Sequence, residues 1–127
     1  RLKLFKMAGT PDPAAGSIAQ RYVFVNLPAT GTTYPSNVAG RIALVKGSGV
    51  GATFADRCNR ASLAGAVGMI LISTTTNPTA VKGTIPCSIV SPEDGEILID
   101  AISSTDNNAI DPPNGALSEL PIRMNPF

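Results

Sequence analysis

Chemistry needs reactive side chains that can be brought together, and this 127-residue sequence offers few of them. It contains no histidine, which removes the commonest general base, the commonest zinc ligand and every Ser-His or Cys-His dyad. Ser48 stands between Gly47 and Gly49, as in a nucleophile elbow, but Lys46 occupies the place of the leading glycine in G-x-S-x-G and nothing present could activate the hydroxyl. Glu93, Asp94 and Glu96 could be read as an acid/base group. Their place in the first turn of a helix is also where the helix dipole favours carboxylates, and that is the reading adopted. The stretch 106–111 lacks the Gly and the terminal Glu of a calcium loop and reads as a solvated turn. The sequence therefore assigns no catalytic residue, no metal ligand and no cofactor.

Two further groups could carry a function. Gly47-Ser48-Gly49-Val50-Gly51 follows an apolar run and precedes a helix-length segment, where a dinucleotide-binding loop would lie. Its third glycine comes one residue early, and Ser73-Thr74 replaces the acidic residue that would hold a ribose. A tight turn is the preferred reading, with a small nucleotide- or phosphate-binding α/β domain using 47–51 as the alternative. Cys58 and Cys87 are the only cysteines; they can form one disulfide or stay as two buried thiols, and the thiols are favoured because Cys commonly packs as a small hydrophobe.

Ten Lys and Arg against nine Asp and Glu give a net charge of +1 without like-charge runs, which points to neither nucleic acid nor an anionic membrane as partner. No apolar run approaches the ~18 residues of a membrane span. Arg1, with no initiator Met and no signal-like segment, suggests a piece of a longer protein. Hydrophobic residues make up 43% and aromatic ones only 5%, so the core must be built from Val, Ile, Leu and Ala. A chain of this length is the size of one domain and can hold a core without staples.

The elements that would position any site centre on two apolar runs. Ile42, Ala43, Leu44 and Val45 form one, and Met69, Ile70, Leu71 and Ile72 the other; neither alternates, as expected of parallel strands covered on both faces. Between them lies a helix over about 53–65, with Thr53 as N-cap, Phe54, Cys58, Ala61 and Gly65 facing the sheet, Arg57 and Arg60 mostly away, and Leu63 exposed. Strand, loop, helix and strand read as a right-handed βαβ crossover. Further strands are expected near 2–7 (an edge blunted by Lys3 and Lys6), 21–27, 85–90 and 117–124, the last blunted by Pro121. Ser91-Pro92-Glu93-Asp94 signals a second helix, continued by Ile97, Leu98, Ala101 and Ile102. The connections 28–40 and 73–83 are polar and long enough to carry a surface feature.

Four ordered blocks resemble the protease-associated (PA) domain family. They are Val38-Ala39-Gly40-Arg41-Ile42-Ala43-Leu44-Val45-Lys46-Gly47, then Thr53-Phe54, then Ala61-Ser62-Leu63-Ala64-Gly65-Ala66-Val67-Gly68-Met69-Ile70-Leu71, then Ile85-Pro86-Cys87-Ser88-Ile89-Val90-Ser91-Pro92-Glu93-Asp94-Gly95. The match covers about residues 38–102 of a chain read as one PA domain over 1–127. Ala52 replaces the Cys that often precedes the Phe in this family, so no disulfide is implied by analogy, and Lys46 stands where Arg is common. The resemblance implies an α/β swivelling β/β/α fold, with a mixed sheet or partly open barrel, a βαβ core and flanking helices. It implies a non-catalytic insert of a larger secreted or extracellular hydrolase, which mediates protein contact or controls substrate access. Its partners would be the parent's catalytic domain and a peptide or protein substrate. A subtilisin-like serine protease is the preferred parent over a zinc aminopeptidase, because Asn77-Pro78-Thr79 cannot accept a glycan and a glycan-free insert ending in Asn125-Pro126-Phe127 suits it. On the two long connections, Thr32, Tyr34, Thr74, Thr75, Thr76 and Asn77 are the expected contact residues.

Overall fold

The two apolar runs lie side by side at the centre of the molecule. The computed structural model describes residues 3–13, 18–27, 33–47, 53–75, 83–102 and 111–125. The strands are β1 (Leu4–Lys6), β2 (Ile18–Asn26), β3 (Ile42–Lys46), β4 (Gly68–Ile72), β5 (Cys87–Val90) and β6 (Leu117–Met124), and the helices are α1 (Phe54–Leu63) and α2 (Pro92–Asp100). The order in the sheet is β1-β5-β4-β3-β2-β6. β3 and β4 pair in parallel, from Ile42 against Gly68 to Val45 against Leu71, with α1 as their connection, which is the expected βαβ unit. β2 and β5 extend this parallel block on either side. β1 and β6 then close it as antiparallel edges, so the sheet is mixed and open, not a barrel.

Strand side chains alternate between faces, and here each face has its own cover. Val23, Val25, Ala43, Val45, Met69, Leu71, Cys87 and Ile89 form one cluster with Cys58 and Ala61 of α1. Phe24, Ile42, Leu44, Ile70 and Val90 form the other with Leu98, Ile99 and Ile102 of α2 and the segment after it. Burial of each such aliphatic or aromatic side chain contributes about 1.5–3 kcal/mol, which outweighs the absence of a tryptophan anchor. This double cover explains the uninterrupted apolar runs in β3 and β4.

Local signals set the helix starts. The Thr53 hydroxyl accepts the Asp56 backbone N–H at 3.1 Å, and the Ser91 hydroxyl accepts that of Asp94 at 3.2 Å with Pro92 in the first turn. A 3₁₀ turn, Ser36–Val38, leads into β3 and was not expected from the sequence; its Val38 is fully buried on the α1 face. At the edge, the backbone N–H of Lys3 donates to the Asp94 carboxylate at 3.5 Å, and Lys6 pairs with Asp12 at 3.2 Å. Among the described residues no helix is long and apolar enough to cross a membrane.

Candidate functional site

The glycine turn after β3 is first a packing device. Gly47 has φ +98°, and a Cβ there would stand 2.2 Å from the Leu27 carbonyl oxygen, so the backbone approach itself demands glycine. Residues 48–52, which include Ser48, Gly49 and Gly51, lie outside the described residues. Beside the turn, Lys46 Nζ lies 2.8 and 3.1 Å from the two Asp111 carboxylate oxygens and 3.3 Å from Glu96 Oε1. The hydrogen bond to Asp111 chiefly, with Glu96 in support, raises the Lys46 pKa against the opposing effect of burial. Lys46 thus stays charged and ties β3 to α2 and to the segment before β6, a clamp and not a nucleophile.

The carboxylates of α2 are likewise separated from one another's chemistry. Asp94 accepts from the Lys3 amide while its own N–H is held by Ser91, and Glu96 is engaged with Lys46. Among the described residues no group of three or more His, Cys, Asp or Glu could hold a metal ion.

Of the expected contact residues, Thr32, Thr76 and Asn77 lie outside the described residues. Thr74 is exposed; Thr75 is half-buried, and its N–H donates to the Ser73 hydroxyl at 3.2 Å in a local turn after β4. Tyr34 is placed differently from the expectation of a loop surface. It is 8% exposed within the α1-side core, and its hydroxyl donates to the Arg57 carbonyl at 3.1 Å. Burial pushes its phenol up to about 12, against a smaller pull downward from Arg57 and Arg60. Its ring serves as a strap holding the 33–35 segment on α1, because an aromatic body with one polar tip can be buried once the tip is satisfied. Arg57 and Arg60 are accordingly half-buried, not turned fully away. Desolvation lowers the Arg57 pKa.

The cysteines are joined, which corrects the preference for free thiols. Cys58 of α1 and Cys87 of β5 face each other across one side of the sheet, with Cα atoms 6.4 Å apart, inside the range that a disulfide spans. Both are fully buried, so the tendency to burial is met by the bond itself. The sequence count had already put Cys58 on the sheet-facing stripe; the missing information was the distance.

A feature that the sequence reading missed is a cleft of about 300 Å³ between α2 and β6, lined by Tyr22, Leu98, Ala101, Glu119, Leu120, Pro121 and Ile122. A bulge makes it. Arg21 pairs with Pro121 and Val23 with Leu117, so Tyr22 alone faces Ser118, Glu119 and Leu120. The Ser118 hydroxyl accepts the Tyr22 backbone N–H at 2.9 Å and donates to the Leu120 carbonyl at 2.9 Å, while Arg21 Nε donates to the Ser118 carbonyl. With its ladder partners so replaced, the strand bows and Leu120 is left 75% exposed. The Tyr22 hydroxyl, donating to the Leu98 carbonyl, fixes the floor of the cleft to α2. The one signal available in the sequence was Pro121, since proline within a strand marks an edge or a bulge.

The fold has known relatives. The chain is similar to BSAP, a zinc aminopeptidase from Bacillus subtilis, with TM-score 0.62 and 20% identity over 76% of this chain and 25% of that one. It is also similar to an aminopeptidase from Aneurinibacillus sp. strain AM-1, with TM-score 0.58 and 15% identity over 98% of this chain and 30% of that one. At such identities the likeness shows the fold alone, and the chain spans only 25% to 30% of those proteins' length. Neither is a subtilisin-like protease, so the preferred parent finds no support in them. No curated protein matches the chain. The family model described as "PA domain" matches residues 10–98, a span that holds α1, most of α2 and four of the six strands, β2 to β5; over that span the chain belongs to the PA domain family.

Proposed function

We propose that this chain is a non-catalytic module of a larger secreted peptidase, where it contacts protein and controls which substrates reach the active site. Membership of the PA domain family, whose members accompany peptidases, is the observation that carries this reading. The local chemistry agrees: Lys46 is clamped by Asp111 and Glu96, and Asp94 is used in binding the chain to itself. An aminopeptidase parent is preferred here to a subtilisin-like one, because both solved relatives named above are aminopeptidases. The Cys58–Cys87 disulfide suits an oxidising, extracellular compartment. The partners are then the parent's catalytic domain and a peptide or protein substrate, met through the surfaces 28–40 and 73–83, where Thr74 is exposed. Nucleotide binding at 47–51 is not favoured, since Gly47 already has a structural reason in its contact with Leu27.

The test is made in the parent peptidase. Alanine at Thr74 and Thr75 should change the preference between long and short peptide substrates, seen in KM, while kcat on a short substrate holds. Turnover of peptide or ester substrates by the 127-residue chain alone, abolished by Ser48→Ala, would overturn the reading.

A further inference from the structure

The cleft between α2 and β6 has the makings of a binding surface in both shape and charge. Among the described residues the exposed large hydrophobics are Leu63, Ile97 and Leu120, and one of the three belongs to this cleft. Leu120 lines it directly. Ile97 stands one helical turn before the lining residue Ala101, on the same side of α2. The bulge at Ser118 turns Leu120 outward at the expense of ladder pairing with β2, and bulges commonly serve to re-aim a side chain in this way.

The rim is acidic. α2 carries Glu93, Asp94, Glu96 and Asp100 and no Lys or Arg. Asp94 and Glu96 have partners, but Glu93, Asp100 and Glu119 form no ion pair among the described residues. Asp100 lies in the last turn, where the helix dipole disfavours a carboxylate and no basic residue offsets it. The cations of β2 and β6, Arg21 and Arg123, stand in register with Pro121 and Ala19, and by strand alternation they fall on the face opposite α2.

We propose that this cleft docks a segment of a polypeptide substrate that presents an aliphatic side chain beside a Lys or Arg, the aliphatic group resting on Leu98, Ala101 and Leu120 and the cation meeting Glu119 and Asp100. The inference rests on the access-control reading above and names its substrate class. Size favours a substrate segment over a permanent protein face: 300 Å³ holds one or two side chains, whereas a stable interface needs about 800 Å² from each partner. Strand addition to β6 is disfavoured, because Pro121 lacks an N–H and the bulge against β2 bends the edge strand. Recognition is therefore by side chains.

The nitrogen-15-labelled chain is titrated with acetyl-Gly-Arg-Leu-Lys-Gly-amide, with its counterpart carrying Glu for both cations, and with one carrying Gly for Leu. Amide shifts confined to 97–101 and 119–122, seen only with the first peptide, are the expected result. Leu120→Ser should weaken binding roughly tenfold and Glu119→Gln roughly threefold, the latter loss fading at high salt. Both positions are exposed, so the rest of the spectrum should superimpose; Ile97→Ser is the second apolar variant should it not. Equal response to the acidic peptide, shifts elsewhere on the chain, or binding untouched by Leu120→Ser and Ile97→Ser would overturn the proposal. Its failure leaves the Thr74 and Thr75 result in the parent peptidase unaffected, so the two readings fail separately.

Discussion

Gly47 and Gly40 both turn with positive φ, at +98° and +75°, yet they face different surroundings. A Cβ on Gly47 meets the Leu27 carbonyl oxygen at 2.2 Å, whereas one on Gly40 meets nothing within 4 Å. Gly40→Ala should therefore cost about 1–2 kcal/mol, the left-handed backbone alone, and Gly47→Ala more, since the strand ends must also move apart. Urea denaturation of the two variants checks the order; equal losses would show that the Leu27 approach is not tight. At this scale the sequence was legible where a residue's role is local. Thr53 and Ser91 are N-caps as their spacing to Asp56 and Asp94 indicates. Tyr34 was not, because its burial depends on Arg57, 23 residues away, offering a carbonyl to its hydroxyl.

Among the elements, α1 and β5 are linked twice, by packing and by the Cys58–Cys87 bond across a separation of 29 residues. Replacing both cysteines by alanine should lower stability by roughly 3–4 kcal/mol through the freedom returned to the unfolded chain. Thermal or urea unfolding measures this, and a loss under about 1 kcal/mol would mean that the unfolded state is already constrained near these residues. With both sulfurs buried, reductant should act on the native protein only as fast as it opens. The strands and helices themselves were largely readable. β3 and β4 show as unbroken apolar runs because both of their faces are covered, and α2 shows by its cap and proline. The bulge in β6 was not readable: its organising contact, Tyr22 N–H to Ser118, spans 96 residues, and no local pattern encodes it.

For the whole molecule, the buried phenols set an alkaline limit. Desolvation pushes both Tyr22 and Tyr34 from 10.0 up to about 12. Below pH 10 they are protonated folded or unfolded and add no pH dependence. Between pH 10 and about 12 the unfolded chain releases these protons while the folded chain keeps them, so stability falls as pH rises. Lys46, whose pKa is also raised in the folded state, loses its clamp in the same direction. Urea midpoints across this range, with tyrosinate absorbance of the folded protein, check it; phenols titrating near 10 in the folded state would contradict their burial.

The strand order has one more consequence, for how the chain comes off the ribosome. β1 waits for β5, and β2, although it can lie against β3 early, has its other side open until β6 has been made. Neither border of the sheet can be sealed by nascent neighbours. Synthesis must run through Met124 before β2 is paired on both sides, so its second edge stays open for most of translation.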